Sequence, residues 1–368
     1  MKLSDNVLKY EETVALSLRE LYGSYGYAPF RMSRFEEYDL YVRNKAFLVS
    51  DSVITFTDTD GKLMALKPDV TLSIVKNCRP TPGTVEKVYY NENVFRLSRG
   101  THAFREIGQT GLECIGDLDA AALAEVVRLA AESLALIDAT FVLDVSHLGV
   151  VEAAVDAIGA SDAGRAEILV AVAGKNPHGI LSVLDAEGID RARADVLLTL
   201  LAAAGSPADI LPRLFDLFRE SAEATAALSE LSDLLAAVGT VGSGRIRVDF
   251  SVIHDMHYYN GIVFRGFVPG VSAGILSGGR YDRLVAKLGR ATGAVGFAVY
   301  LDLLEERTPA RTADDCDVFL LYGEGDAPAA VLAAAEALRR DGARVRCGRT
   351  LPEALRAGRI LRLSEVKA

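Results

Sequence analysis

The stretch from Val88 to Gly116 constrains the fold more than any other, because it contains two strand-like runs joined by a charged connection. β-Branched and aromatic residues recur from Val88 to Val94 and again from Ile107 to Ile115, with polar residues between them. Short runs of this composition are typical of β-strands. The stretch therefore predicts a β-hairpin.

Basic side chains crowd the connection of this hairpin, at Arg96, Arg99, His102 and Arg105. Guanidinium groups present planar, bidentate donors that suit carboxylates and phosphates. One interpretation is a site for an anionic or zwitterionic ligand, held on a rigid sheet. The alternative is a solvated hairpin tip, which the loop chemistry taken alone favours.

Composition excludes several classes of protein. The 368 residues are 50% hydrophobic and 24% charged, which is enough for a sizeable core and about two domains. The net charge of −10 argues against a large nucleic-acid-binding surface. Four widely spaced cysteines form no CxxC pair, which argues against a zinc site or a disulfide framework. Without an apolar run of eighteen residues or a signal-peptide pattern, we expect a cytoplasmic protein that does not cross a membrane.

Two helices are predicted before the hairpin. An amphipathic pattern favours a helix over Asn6–Tyr22. A second, shorter helix is expected to begin at Pro68 and to run to Asn77, because proline suits the first helical position. Asp69 and Thr71 would then lie at the positive end of its dipole.

After the hairpin in the chain, helices and strands are both predicted. They are a helix over Asp119–Ala135, a buried strand over Thr140–Ser146, a helical insertion over about 148–241, a strand from Arg245, a hairpin turn at Asn260-Gly261, a strand-to-helix turn within Leu276–Gly289, a core helix over Val295–Glu306, a linker at 307–316 and a βαβ unit at 317–368.

Several motifs, in this order, resemble the core of class II histidyl-tRNA synthetases. They are LKPDVT, FRLSR with FREIGQTGLECIG, MHYYNGIVF, SGGRYDRLVAKLG and AVGFAV, and the resemblance spans residues 1 to about 306. It implies an α+β fold: an antiparallel class II sheet of six to seven strands flanked by helices, with a helical insertion between the second and third motifs. It also implies a homodimeric core, and a partial α/β anticodon-binding-like unit at 317–368.

The resemblance carries over a histidine pocket, residue by residue. Asp69, Thr71 and Gln109 match positions that hold the α-amino group of the ligand, with Asp69 standing where the synthetase has glutamate. The remaining pocket positions are Glu113, Tyr259 and Tyr281. Chemically the set is suitable, because a carboxylate and a tyrosine hydroxyl can satisfy both nitrogens of an imidazole. Taken singly, each residue also fits an ordinary place in a sheet.

The positions that handle ATP in the synthetases are largely changed. Arg96 remains, and Arg105 matches a second loop arginine, so these two are candidate anion-binding residues. The other positions have lost the family residue, at Ser33, Ser98, Ala103, His254 and Leu303. Loss of one group aimed at developing charge commonly costs ~10²–10³ in rate. An active synthetase is therefore not expected.

A synthetase core that keeps its amino-acid pocket and loses its ATP-binding arginines resembles the regulatory subunits of ATP phosphoribosyltransferase. That family implies no catalysis and no cofactor of its own, assembly with a short-form catalytic subunit into a hetero-octamer, and histidine as feedback inhibitor of histidine biosynthesis. Two alternatives remain: a divergent active histidyl-tRNA synthetase, and another paralogue that binds tRNA or modifies a protein.

Overall fold

The structure is a computed structural model that describes residues 8–44, 53–97, 103–239, 241–242, 244–253, 258–307 and 314–366. The chain divides into two compact units, Met1–Arg307 and Thr308–Ala368. Each unit is described by itself.

Fifteen strands lie within the described residues. They are β1 Ala28–Pro29, β2 Phe35–Glu37, β3 Thr55–Thr57, β4 Leu63–Leu66, β5 Val85–Leu97, β6 Phe104–Gly116, β7 Val142–His147, β8 Ala204–Gly205, β9 Ile246–Asp249, β10 Ile262–Phe267, β11 Leu276–Arg280, β12 Gly293–Tyr300, β13 Cys316–Leu321, β14 Val345–Gly348 and β15 Ala357–Arg362.

The same residues form twelve α-helices, with short 3₁₀ segments between some of them. They are α1 Tyr10–Ser24, α2 Tyr38–Arg43, α3 Thr71–Asn77, α4 Ala120–Ile137, α5 Leu148–Asp156, α6 Asp162–Ala173, α7 Pro177–Glu187, α8 Asp195–Ala202, α9 Pro207–Leu217, α10 Ala222–Val238, α11 Asp282–Lys287 and α12 Pro328–Arg340. None of these helices is long and apolar enough to span a bilayer.

A nine-stranded sheet dominates the first unit, in the order β1-β5-β6-β12-β11-β10-β7-β9-β8. The predicted hairpin is its longest element, and β5 and β6 pair along thirteen residues each. Most neighbours are antiparallel, but β1 pairs with β5 and β7 with β9 in parallel. The sheet is therefore mixed, and larger than the six or seven strands expected.

Helix α4 covers one face of this sheet and α1 packs beside it. The Asp119 carboxylate caps α4 by accepting a hydrogen bond from the Ala122 amide at 2.8 Å. The Tyr22 hydroxyl of α1 lies 3.1 Å from the Ser133 hydroxyl of α4, and both residues are fully buried. The main apolar core lies between these helices and the sheet.

Two predicted helix boundaries are wrong within the described residues. Helix α1 begins at Tyr10, because the Glu12 side chain turns back to accept the Lys9 amide hydrogen at 2.8 Å. Helix α3 begins at Thr71 instead of Pro68, because Asp69 accepts a hydrogen bond from the Leu72 amide at 2.7 Å. Asp69 still lies at the positive end of the helix, as expected.

The predicted core helix over Val295–Glu306 is also wrong. Residues Gly293–Tyr300 form β12, which lies between β6 and β11 in the centre of the sheet. A strand buried on both faces is apolar throughout and loses the alternation that identifies a strand. Only Leu301–Arg307 is helical, as a 3₁₀ segment.

Among the strands of the described residues, the Asn260-Gly261 turn does not join a pair. Gly261 has the expected positive φ of 74°. However, β9 pairs with β7 and β8, while β10 pairs with β7 and β11. The Asn260 amide instead donates to the Arg280 carbonyl at 2.8 Å, so the segment that contains Tyr258 and Tyr259 runs along β11.

Between β7 and β9 the chain is almost entirely helical, from α5 to α10, as the composition predicts. The second unit is a three-stranded parallel sheet in the order β14-β13-β15, with α12 connecting β13 to β14. It contains the predicted βαβ arrangement and one further strand, β15, that the sequence pattern did not indicate.

Candidate functional site

A narrow polar cavity lies on one face of the nine-stranded sheet, above β5, β6, β12 and β11. It is about 50 Å³ in volume. All six predicted pocket positions are among its lining residues: Asp69, Thr71, Gln109, Glu113, Tyr259 and Tyr281. The structure therefore brings the whole predicted set together.

Glu113 is the centre of this cavity. Its side chain is 2% exposed. The Thr71 hydroxyl donates to one carboxyl oxygen at 2.6 Å, and the Tyr281 hydroxyl donates to the other. The carboxyl group is thus fixed by two hydroxyls from opposite sides, one at the start of α3 and one at the end of β11.

Burial raises the pKa of Glu113 to about 8, although the hydrogen bonds from Thr71 and Tyr281 lower it and the Asp69 charge raises it further. A carboxyl group with this pKa is mainly protonated at neutral pH. Burial also raises the pKa of Tyr281 well above its ordinary value, with the Glu113 charge as the next cause. Perturbed groups of this kind concentrate at functional sites.

Three tyrosines form one wall of the cavity. The Tyr258 and Tyr259 rings are 4.8 Å apart, and the Tyr258 and Tyr281 rings are 5.5 Å apart. Tyr258 lines the cavity as well, although it is not one of the predicted pocket positions. A wall of rings with polar tips can hold a flat polar ligand by contact on one side and hydrogen bonding on the other.

The two candidate anion-binding arginines are placed differently, although Arg96 and Arg105 face each other across the hairpin. Arg96 lines the cavity, where its Nε donates to the Pro68 carbonyl at 3.0 Å. Arg105 is 60% exposed and lies 3.9 Å from Asp302, outside the cavity lining. Arg99 and His102, which complete the basic connection, lie outside the described residues.

Eight lining residues were not predicted from the sequence, which are Val70, Tyr90, Tyr258, Ser277, Gly296, Phe297, Ala298 and Tyr300. Most of them come from β5, β11 and β12, which meet only in the folded sheet. Tyr300 lies opposite Gln109, and Gly296 opposite Glu113. The pairing of β12 with β6 is what places Tyr300 and Gly296 beside the predicted residues, and that pairing is not visible in the sequence.

Gly296 makes room for the central carboxyl group. A methyl group at this position would overlap Glu113 Oε2 and would lie 2.5 Å from the Leu112 carbonyl oxygen. Since Gly296 is in an extended strand, space and not backbone conformation requires glycine here.

No group of three or more His, Cys, Asp or Glu side chains is arranged to hold a metal ion in the part of the chain that the structure describes. The cavity offers hydroxyls, carboxyl groups, an amide and one guanidinium. This donor set suits a small zwitterion that carries both a cation and an anion.

A family model for histidyl-tRNA synthetase matches residues 3–304. The ATP phosphoribosyltransferase regulatory subunit of Desulfitobacterium hafniense (strain DSM 10664 / DCB-2) is 31% identical over 302 residues, which cover 80% of this chain and 76% of the relative. The histidine–tRNA ligase of Methanocaldococcus jannaschii is 27% identical over 316 residues, with coverages of 84% and 74%.

Among solved structures, an ATP phosphoribosyltransferase regulatory subunit/histidyl-tRNA synthetase from Bacillus halodurans C matches with a TM-score of 0.78 and 23% identity, over 98% of this chain and 96% of that one. A chain of the ATP phosphoribosyl transferase (HisG:HisZ) complex from Thermotoga maritima matches with a TM-score of 0.62 and 18% identity, over 79% and 97%. These likenesses confirm the class II synthetase-like fold.

The family follows from the match to the synthetase model over most of the chain, together with the 31% identity to a regulatory subunit. The chain belongs to the histidyl-tRNA synthetase family and, within it, to the regulatory subunits of ATP phosphoribosyltransferase.

Proposed function

We propose that this chain is the non-catalytic regulatory subunit of an ATP phosphoribosyltransferase, that it assembles with a short-form catalytic subunit, and that histidine binds in the Glu113 cavity. The names of its relatives support the regulatory role, and the Thermotoga maritima complex supports a partner of this kind. The hetero-octamer and feedback inhibition by histidine belong to the same proposal, as does a cytoplasmic location. Residues 1–306 would carry the ligand site.

The observation that carries the histidine assignment is the buried carboxyl group held between two hydroxyls. An imidazole offers one donor and one acceptor nitrogen in its neutral form. Glu113 and Tyr281 can meet both nitrogens, while Asp69 beside α3 provides a negative charge for the α-ammonium group. Because small-molecule pockets usually exceed about 300 Å³, the present cavity of about 50 Å³ must widen when a ligand enters.

The proposal also assigns no catalysis to the chain. Leu303, at the third-motif position where synthetases have an arginine, packs against the main apolar core. Ala103 and Ser33 likewise carry no guanidinium, and Ser98 and His254 lie outside the described residues. We therefore expect no histidine-dependent ATP–pyrophosphate exchange by the isolated chain. Exchange at an ordinary synthetase rate would instead favour the divergent synthetase, the alternative that the Methanocaldococcus jannaschii match keeps open.

A homodimer is part of the proposal, and an exposed apolar surface on the small β2–β4 sheet supports it. Phe35 and Phe56 are 49% and 40% exposed with their rings 5.8 Å apart, and Leu63 and Val42 nearby are 48% and 50% exposed. Clustered apolar exposure of this kind marks an interaction surface. A second copy of the chain is the occupant that we assign to it.

The decisive experiment is co-purification of this chain with the short phosphoribosyltransferase of the same organism, followed by assay of that enzyme with and without it. We expect a stable complex and activity that depends on this chain. The variant Glu113→Ala should weaken histidine binding about tenfold or more, since an imidazole nitrogen loses its hydrogen-bond partner inside a buried cavity.

The same variant separates the parts of the proposal. If binding measured by calorimetry is unchanged, histidine does not use this cavity. If binding weakens but the histidine concentration needed for inhibition stays the same, the feedback site lies on the catalytic subunit. Failure of the two proteins to associate would contradict the regulatory role itself.

A further inference from the structure

A second polar cavity lies on the same face of the nine-stranded sheet, next to the Glu113 cavity. It is about 410 Å³ in volume and is lined by strands β7, β9 and β10 and by the turn between α6 and α7. Arg265 on β10 pairs with Ser277, which lines the first cavity, on one side and with Asp144 on the other. Asp144 in turn pairs with Arg247 on β9. Residues in register on neighbouring strands share a face, so the two cavities are adjacent.

Both carboxylates in this cavity already have partners. Asp144 accepts two hydrogen bonds from Arg247, at 2.8 and 3.1 Å. Asp249 accepts from Lys175 Nζ at 2.7 Å and from the Ser251 hydroxyl at 2.7 Å. Neither acid therefore needs a further cation.

Arg265 is the third cation of the cavity. Among the residues that the structure describes, no carboxylate lies within ion-pair distance of its guanidinium group. The group instead lies over the Phe267 ring, 5.7 Å from the ring centre. Gly274 packs so closely against the same side chain that a methyl group there would overlap Arg265 Nε. The guanidinium is thus held by its contacts with Phe267 and Gly274, and it lines the cavity without forming an ion pair to any described residue.

Lys175 reaches the cavity at a conformational cost. It is the single non-glycine residue with positive φ in the described parts of the chain, at 48°. Lysine is unfavourable in this left-handed region, where glycine or asparagine is usual between two helices. Strained backbone of this kind is often found at binding sites. Here it places an ammonium group, whose side chain is 51% exposed, over Asp249 at the edge of the cavity.

We propose that this cavity, with Arg265 and Lys175 as its principal contacts, binds a small molecule that carries a carboxylate or phosphate group. Three cations face two acids there, in a chain of net charge −10. The Arg265 fork can bind such a group through two parallel hydrogen bonds, and a cavity of about 410 Å³ falls within the range of small-molecule sites. This site is distinct from the Glu113 cavity and does not depend on the proposed histidine ligand.

Calorimetry with the full chain in a low-salt buffer tests the proposal, with inorganic phosphate and malonate as separate probes. The variant Arg265→Met keeps the stem of the side chain over Phe267 and removes the charge. We expect it to weaken binding about tenfold or more. The control is Arg219→Met, which removes the same charge from an exposed arginine that pairs with Asp216 in the helical insertion.

A second variant, Lys175→Gly, relieves the backbone strain and removes the other principal contact, so it remains informative if Arg265→Met does not fold. It should also weaken binding. Saturable binding of phosphate alone, or of malonate alone, identifies the preferred group and supports the site. No saturable binding of either probe, or equal binding by the native chain, Arg265→Met and Lys175→Gly, overturns the proposal.

Discussion

The protonation of Glu113 leads to a prediction about stability. Replacing Glu113 with Gln leaves an acceptor oxygen for the Thr71 hydroxyl, which donates to the native carboxyl group at 2.6 Å. The replacement cannot ionise. Burial raises the pKa of Glu113 from 4.5 to about 8. Between these pH values the folded state of the native chain therefore binds more protons than its unfolded state. The free energy of unfolding of the native chain must therefore fall as pH rises through this window.

The size of the effect follows from the shift. At ~1.36 kcal/mol per pH unit, a rise from 4.5 to about 8 corresponds to at most roughly 5 kcal/mol. Below about pH 4.5, Glu113→Gln should be less stable than the native chain by about 1 kcal/mol, because its amide fits one hydroxyl less well. The order should reverse just above pH 5, and above pH 8 Glu113→Gln should be the more stable by several kcal/mol.

Urea unfolding at pH 4, 6.5 and 8.5 measures this difference in the free energy of unfolding. The matched control is Glu167→Gln on α6, because Glu167 is exposed. We expect the difference in free energy of unfolding between Glu167→Gln and the native chain to stay constant with pH. A difference between Glu113→Gln and the native chain that also stays constant would show that Glu113 ionises normally, and the explanation given for its protonation would be wrong.

Further predictions concern packing and assembly. Gly296→Ala should cost about 1–3 kcal/mol of stability in thermal unfolding because its methyl group meets Glu113 and a backbone carbonyl. Gly23→Ala, where an added methyl group would meet nothing outside the backbone of α1, should cost nothing; equal losses would contradict the steric reason. Phe35→Ser should shift the chain from dimer to monomer in light scattering at micromolar concentration, whereas Phe104→Ser, at a side chain 74% exposed on the hairpin, should not. A native chain that is already monomeric would refute the dimer.

Local signals in the sequence predicted the β5–β6 hairpin. They also predicted that the insertion begins at α5 and that it is helical. Each depends on residues close together in the chain, where alternation or helical spacing is readable. The family motifs predicted the synthetase-like fold, which is confirmed, and the six pocket positions, which the structure brings together. Their role in binding histidine stays a prediction.

The sequence did not predict which distant strands pair with each other. β12 is apolar on both faces, so its pattern did not distinguish a strand from a buried helix. Tyr300 and Gly296 therefore remained unassigned, since their place depends on the register with β6. The sequence likewise did not predict that Arg247 and Arg265 line a common cavity. Each is unremarkable in its own strand, and the cavity that they share exists only across the sheet.

The position of β12 also has a consequence for synthesis of the chain. β6 ends at Gly116, whereas its partner β12 begins at Gly293. Ribosomes add about 5–20 residues per second, so the long apolar edge of β6 emerges roughly 10–35 s before its partner strand. An unpaired edge of this kind invites pairing with other chains. We therefore expect the nascent protein to need protection by a chaperone during this interval, and slower translation between these strands to increase aggregation.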